Sequence, residues 1–129
     1  MIYTVGHSTH TIDAFMELLR QHGVRQIADV RRVPASARHP QFGRHRLRRS
    51  LLESGVDYRH FAALGGLRAP QTDSVNAGLR NASHRGYADH MLTPEFDEAL
   101  IQLIDYARRA PTAAMCAELR YSDCHRQLL

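Results

Sequence analysis

Two short polar runs near the end of the chain carry its only two cysteines: Cys116-Ala117-Glu118 and Cys124-His125-Arg126, both downstream of the apolar run Ala113-Ala114-Met115. A thiolate serves as a nucleophile, a metal ligand or a redox centre, and its reactivity follows its pKa. Cys124 opens a segment that reads as a helix start beside His125 and Arg126, where positive charge and the helix dipole depress a thiol pKa. Nucleophilic catalysis would pair Cys116 or Cys124 with His7 or His125 as base, and Glu118 or Asp29 would orient that base. For Cys116 the competing reading is packing, because it directly follows an apolar run. The C-x7-C spacing suits neither a zinc finger nor a C-x-x-C redox pair, and His7, Cys116, Cys124 and His125 match no metal-ligand spacing. No metal is therefore predicted, and the sequence names no cofactor.

These groups need a scaffold. Ile2 to Val5, Gln26 to Val30, Val56 to Phe61 and Thr112 to Met115 are short, apolar runs that read as strands. Between them, Thr11 caps a predicted helix from Ile12 to His22, with Ile12, Phe15, Met16 and Leu19 on one face and Gly23 as the stop. A second helix is predicted over Arg44 to Ser54, with Leu47, Leu51 and Leu52 on one side. A third starts at Thr93-Pro94-Glu95 and runs to about Arg109. Residues 67–86 have no clear period and are expected to form a long loop with one helical turn. Strands alternating with helices imply a single α/β domain with a mainly parallel sheet of four strands, flanked by helices in a Rossmann-like three-layer arrangement.

In such a sheet every strand ends along one edge, where open α/β folds bind ligands. The predicted ends carry Gly6-His7-Ser8, Asp29-Val30-Arg31, Leu64-Gly65-Gly66 and Cys116-Ala117-Glu118. Each has a plainer reading: His7 and Ser8 as a helix cap, Asp29 as a structural partner of Arg31 or Arg32, the glycines as a turn. Their coincidence along one edge points to a ligand crevice.

Charge narrows the ligand. The chain has 17 basic and 13 acidic residues, a net charge of +4, and every basic residue is arginine. Between Asp29 and Glu53 there is no acid, while Arg31, Arg32, Arg38, Arg44, Arg46, Arg48 and Arg49 all fall there, with His39 and His45. Planar guanidinium forks match phosphate and carboxylate, so the stretch reads as an anion or nucleic-acid footprint or as a solvated helix face with a polar loop. No run approaches the length of a membrane span, and the N-terminus lacks the basic and apolar regions of a leader. A cytoplasmic protein with no membrane partner is expected.

The same segments resemble a known family, the domain of unknown function 488 family of bacterial and archaeal proteins. The resemblance rests on Thr4-Val5-Gly6-His7-Ser8, Asp29-Val30-Arg31 with Pro34, Pro40-Gln41-Phe42, and Leu64-Gly65-Gly66. It continues through Arg80-Asn81, Arg85-Gly86-Tyr87-Ala88-Asp89, Cys116-Ala117-Glu118 and Cys124-His125-Arg126. It implies a compact α/β domain whose signature residues fall on the strand ends, and it implies no activity. Leu79 stands where the family usually has an aromatic, and His84 and His90 replace aromatic residues, so the resemblance does not extend to base stacking there. Against the family pattern, the chain resembles a domain lacking the C-terminal tail.

The leading expectation is an anionic, phosphate-bearing ligand, a nucleotide or nucleic acid, at the C-terminal edge of the sheet. Arg31, Arg80, Arg85 and Arg126 would supply charge, and His7, Ser8 and the backbone near Gly65 and Gly66 would orient it, with Asp29 and Tyr87 also at the ligand. The rival is an enzyme using Cys124 or Cys116 as nucleophile or redox centre, with His7, His125 and Glu118 assisting. A third reading is an interaction module without chemistry, whose exposed apolar patch a partner subunit or a homo-oligomer would cover.

Overall fold

The apolar runs pair into a four-stranded, all-parallel sheet in the computed structural model, which describes residues 2–34, 38–65 and 82–117, with the backbone alone for 82–85. β1 spans Ile2–Gly6, β2 Gln26–Asp29, β3 Asp57–His60 and β4 Thr112–Cys116. Their order across the sheet is β1-β4-β2-β3, so the last strand inserts between the first two. The inner strands β2 and β4 are buried at every position, while the outer strands β1 and β3 expose residues to water. That is why Thr112-Ala-Ala-Met-Cys116 and Gln26-Ile-Ala-Asp29 read as runs rather than as strict alternation.

Four helices cover the sheet: α1 (Ile12–Gln21), α2 (Arg44–Glu53), α3 (Ala82–His90) and α4 (Pro94–Ala107). The crossovers β1-α1-β2 and β2-α2-β3 step in one direction across the sheet, and the return from β3 to β4 steps in the other. With right-handed crossovers, this reversal carries the later helices to the opposite face. Phe15, Leu19, Leu47 and Leu51 accordingly pack with Ile27, Tyr58, Ala113 and Met115 on one side. Tyr87, Phe96, Ala99, Leu103 and Tyr106 pack with Ala28, Val30, Ala114 and Cys116 on the other. The three-layer α/β expectation holds.

Local chemistry sets two helix starts as predicted. The Thr11 hydroxyl accepts from Ala14 N at 3.1 Å, and the Thr93 hydroxyl accepts from Phe96 N at 3.3 Å, with Pro94 in the first turn. α2 is different: Gly43 offers no side-chain cap, and the first turn holds Arg44, His45 and Arg46 with no acid. Positive charge at that end opposes the helix dipole by about 0.3–1 kcal/mol per residue. Burial of Leu47 and Leu51, both 0% exposed, is what holds α2 to the sheet.

Of the expected loop with one helical turn over 67–86, residues 67–81 lie outside the described residues, and 82–86 are helical and continue to His90 as α3. Few apolar residues mark that helix, and Gly86 lies within it, so a 3.6-residue period was not readable. Short 3-10 turns at Pro40–Phe42 and Ala62–Leu64 fill the links after β2 and β3. No described helix is long and apolar enough to cross a membrane.

Candidate functional site

Insertion of β4 at the centre brings three strand ends side by side. His7 N donates to Cys116 O at 2.9 Å and Ser8 N to Ala117 O at 2.8 Å, while Val30 N donates to Met115 O at 3.0 Å. On the far side Phe61 N donates to Asp29 O at 2.8 Å, which ties in the end of β3.

Asp29 is fully buried and forms the hub of this edge. Arg31, 7% exposed, reaches back with Nε to Oδ1 at 2.9 Å and Nη2 to Oδ2 at 2.7 Å, and its backbone N–H donates to Oδ1 at 3.1 Å. The Tyr58 hydroxyl donates to Oδ2 at 2.5 Å, and Arg31 Nη1 donates to the Phe42 carbonyl at 2.7 Å. Burial works against the Arg31 charge, but the Asp29 carboxylate outweighs it and keeps the guanidinium above its ordinary value. Burial first, and then the same carboxylate, push the Tyr58 hydroxyl well above the usual phenol range. His60 Nε2 donates to the Arg31 carbonyl at 2.6 Å, so the chain leaving β2 is fixed on both sides.

That fixed segment presents Phe42 to His7. The two rings stack with centroids 4.4 Å apart at 15°, and Phe15 meets Phe42 edge-on at 5.2 Å. His7 Nδ1 lies 3.0 Å from the Ser8 carbonyl, which assigns the proton to Nδ1 and leaves the lone pair on Nε2. Burial, reinforced by the nearby Arg31 charge, lowers the His7 pKa below 6.5. The folded protein therefore favours neutral His7, and the unfolded chain takes the proton first as pH falls. Stability from this group is complete above about pH 6.5 and is lost as pH drops toward the folded pKa. His7→Phe should keep the stack and lose less stability than the parent between pH 7 and pH 5 in urea titrations. Parallel curves for the two proteins would refute a buried neutral imidazole.

Ser8 carries the one strained backbone among the described non-glycine residues, with φ at 43°. A left-handed residue other than glycine costs about 1–2 kcal/mol. The strain is held by the Ser8 N–H on Ala117 and the His7 ring on the Ser8 carbonyl. The Ser8 hydroxyl makes no hydrogen bond to the described protein, and the residue as a whole is half-buried. Two residues on, His10 Nε2 is buried without a partner among the described residues, although its backbone is tied down by His7 O at 3.0 Å and by Gln41 Nε2 at 3.2 Å.

Across the edge, the chain after β3 is pressed against the chain after β2. A Cβ built on Gly65 would collide with the backbone of Arg32, so only glycine fits. The Tyr87 hydroxyl donates to Leu64 O at 2.9 Å, and His90 Nε2 meets Ala63 O at 2.5 Å, which fastens this turn to α3.

The structure brings His7, Ser8, Asp29, Arg31 and Gly65 to one edge, as the strand-end reading expected. Asp29, Arg31, Gly65 and Tyr87 are all buried there, with Tyr87 at 0% exposure, as is His7, while Ser8 is half-buried. Cys116 is also at this edge, 7% exposed, but it packs with the α3–α4 cluster while the His7 ring stacks on Phe42 on the opposite face. A Cys116–His7 pair is thus not assembled. Gly66, Arg80, Glu118, Cys124, His125, Arg126 and the Arg85 side chain lie outside the described residues. Among the described residues, no three His, Cys, Asp or Glu side chains converge as a metal site. Tyr58, His60, His10 and Phe42 were not among the predicted site residues. A buried acid on an inner strand demands donors, and the alternation of Tyr58 with Arg59 in β3 was the signal for one of them.

A family profile described as Domain of unknown function DUF488 matches residues 11–129. Comparisons with curated proteins and with solved structures returned no match.

Proposed function

The chain belongs to the DUF488 family, whose description carries no activity, and from the chemistry of the strand ends we propose that it binds a phosphate-bearing anion at the turn after β1. The observation that carries this reading is Ser8. A serine kept at a φ of 43°, where glycine would relieve the strain, with its hydroxyl unpaired among the described residues, points to a hydroxyl held for use. A phosphate oxygen accepts from a hydroxyl and from imidazolium N–H groups. His7 supplies one imidazole, and the unpartnered His10 nitrogen lies in the same turn. Long-range charge supports the sign of the ligand. The chain from Val30 to Leu52 has no acid, and the one carboxylate of the hub, Asp29, is already spent on Arg31 and Tyr58.

Ser8→Gly separates strain from function. The variant should be as stable as the parent, or more stable by up to about 1 kcal/mol, because the left-handed penalty is removed. It should bind pyrophosphate and nucleoside 5′-phosphates at least several-fold more weakly by isothermal titration calorimetry. Equal affinity in parent and variant, or no binding of any phosphate by the parent, would refute the reading.

A further inference from the structure

We propose that the solvent face of α2 is a docking surface for the backbone of nucleic acid. The proposal goes beyond the phosphate reading of the strand ends: it concerns a separate element, and its ligand is the polymer.

Arg44, His45, Arg46, Arg48 and Arg49 are all exposed on this ten-residue helix, and the first acid is Glu53 at its end. None of the four arginines forms an ion pair among the described residues, in contrast to Arg20, Arg31 and Arg109. A shallow open depression on the helix surface is lined by His45, Arg48, Arg49, Leu52 and Glu53. It lies apart from the strand ends, so the helix presents a contour of its own. The charge is retained against local cost, since the first turn places cations at the positive end of the dipole without a capping side chain. Solvation alone would be served by mixed charges.

The geometry selects the partner. The four arginines lie between Arg44 and Arg49, about 7.5 Å of helix at about 1.5 Å per residue. One strand of duplex DNA offers a phosphate about every 3.4 Å of axis, so about two phosphates lie alongside that span, and the long arginine side chains extend the reach to the phosphates on either side. Arginine forks bind phosphate oxygens in pairs, and the chain uses no lysine at all. A membrane surface fits poorly, because an interfacial helix must insert its apolar face, and Leu47 and Leu51 are committed to the core at 0% exposure. An acidic protein partner would want a desolvated aromatic anchor, and α2 has no aromatic residue. Without Phe, Tyr or Trp the helix offers no extended base-stacking platform, so recognition is of backbone rather than of sequence.

The test is fluorescence anisotropy with a labelled duplex of about 24 base pairs lacking terminal phosphates, from about 50 to about 300 mM salt, using the parent chain and a variant carrying R44Q, R46Q, R48Q and R49Q. Circular dichroism checks that the variant folds, and a two-residue variant, R48Q with R49Q, serves if it does not. The expected result is a parent whose affinity falls about 100-fold between 50 and 200 mM salt, and a variant at least 10-fold weaker with a salt slope flatter by about 3. Pyrophosphate binding should weaken much less than duplex binding in the variant, because the strand-end turn loses only long-range charge. A duplex affinity unaffected by the substitutions, no duplex binding by the parent at 50 mM salt, or tighter capture by anionic vesicles than by duplex would each overturn the proposal. Loss of pyrophosphate binding in Ser8→Gly reports on the strand-end reading separately, so the two failures are distinguishable.

Discussion

Replacing Asp29 with alanine should lower the unfolding free energy by about 3–5 kcal/mol, because it strands a buried cation. Asp29 is 0% exposed and Arg31 only 7%, so water cannot take over the lost contacts. The carboxylate accepts from Arg31 Nε, Arg31 Nη2, the Arg31 backbone N–H and the Tyr58 hydroxyl, and a methyl group accepts from none of them. Asp29→Asn keeps the shape and one acceptor oxygen but removes the charge, so its loss should be smaller. The cost belongs to the orphaned partner more than to the bond, which makes a second prediction within the first. Adding Arg31→Met to Asp29→Ala should recover part of the stability, since the uncompensated charge goes with it. Urea denaturation monitored by circular dichroism measures all three. A loss under about 1 kcal/mol for Asp29→Ala would mean that the cluster does not hold the edge together.

Phe42→Ala should cost a similar amount, about 3–5 kcal/mol, through lost transfer energy and the cavity left behind. Phe42 is fully buried in a short 3-10 turn, between the His7 face and the Phe15 edge. Its role goes beyond packing, because its ring shields the imidazole whose pKa burial lowers. The variant should therefore show His7 titrating closer to 6.5, where water reaches the ring. Stability lost with the His7 titration unmoved would assign Phe42 to the core alone and detach it from the site.

Much of this architecture was readable because it rests on local signals. Thr11 and Thr93-Pro94 announce α1 and α4, and the strand runs stand out because the inner strands of this parallel sheet are buried at every position and carry mostly apolar residues at their centres. α3 was not readable, since its order comes from Tyr87 and His90 gripping the carbonyls of Leu64 and Ala63, contacts more than twenty residues away in the chain. The insertion of β4 between β1 and β2 is equally non-local, as it depends on which way each crossover steps.

The candidate site divides along the same line. Gly6-His7-Ser8 and Asp29-Val30-Arg31 were visible as polar ends of apolar runs, and the pairing of Asp29 with Arg31 was one of the readings open to the sequence. Which face each side chain takes was not visible. The register sets Gly6 opposite Cys116, so the next residue, His7, turns to the other face, and the thiol and imidazole part company. Ser8 looked like a helix cap, yet Thr11 caps α1, and only the backbone angle of Ser8 distinguishes it from an ordinary turn residue.

The most direct test of phosphate binding at the strand ends is the His7 titration, followed by the ring-proton NMR signals with and without saturating pyrophosphate. The free protein should titrate below 6.5, as burial and Arg31 require. A bound anion beside the ring favours the imidazolium, so the midpoint should rise by about one unit or more and the protein should take up a proton on binding. An unchanged midpoint under conditions where pyrophosphate is bound would place the anion elsewhere and contradict the account.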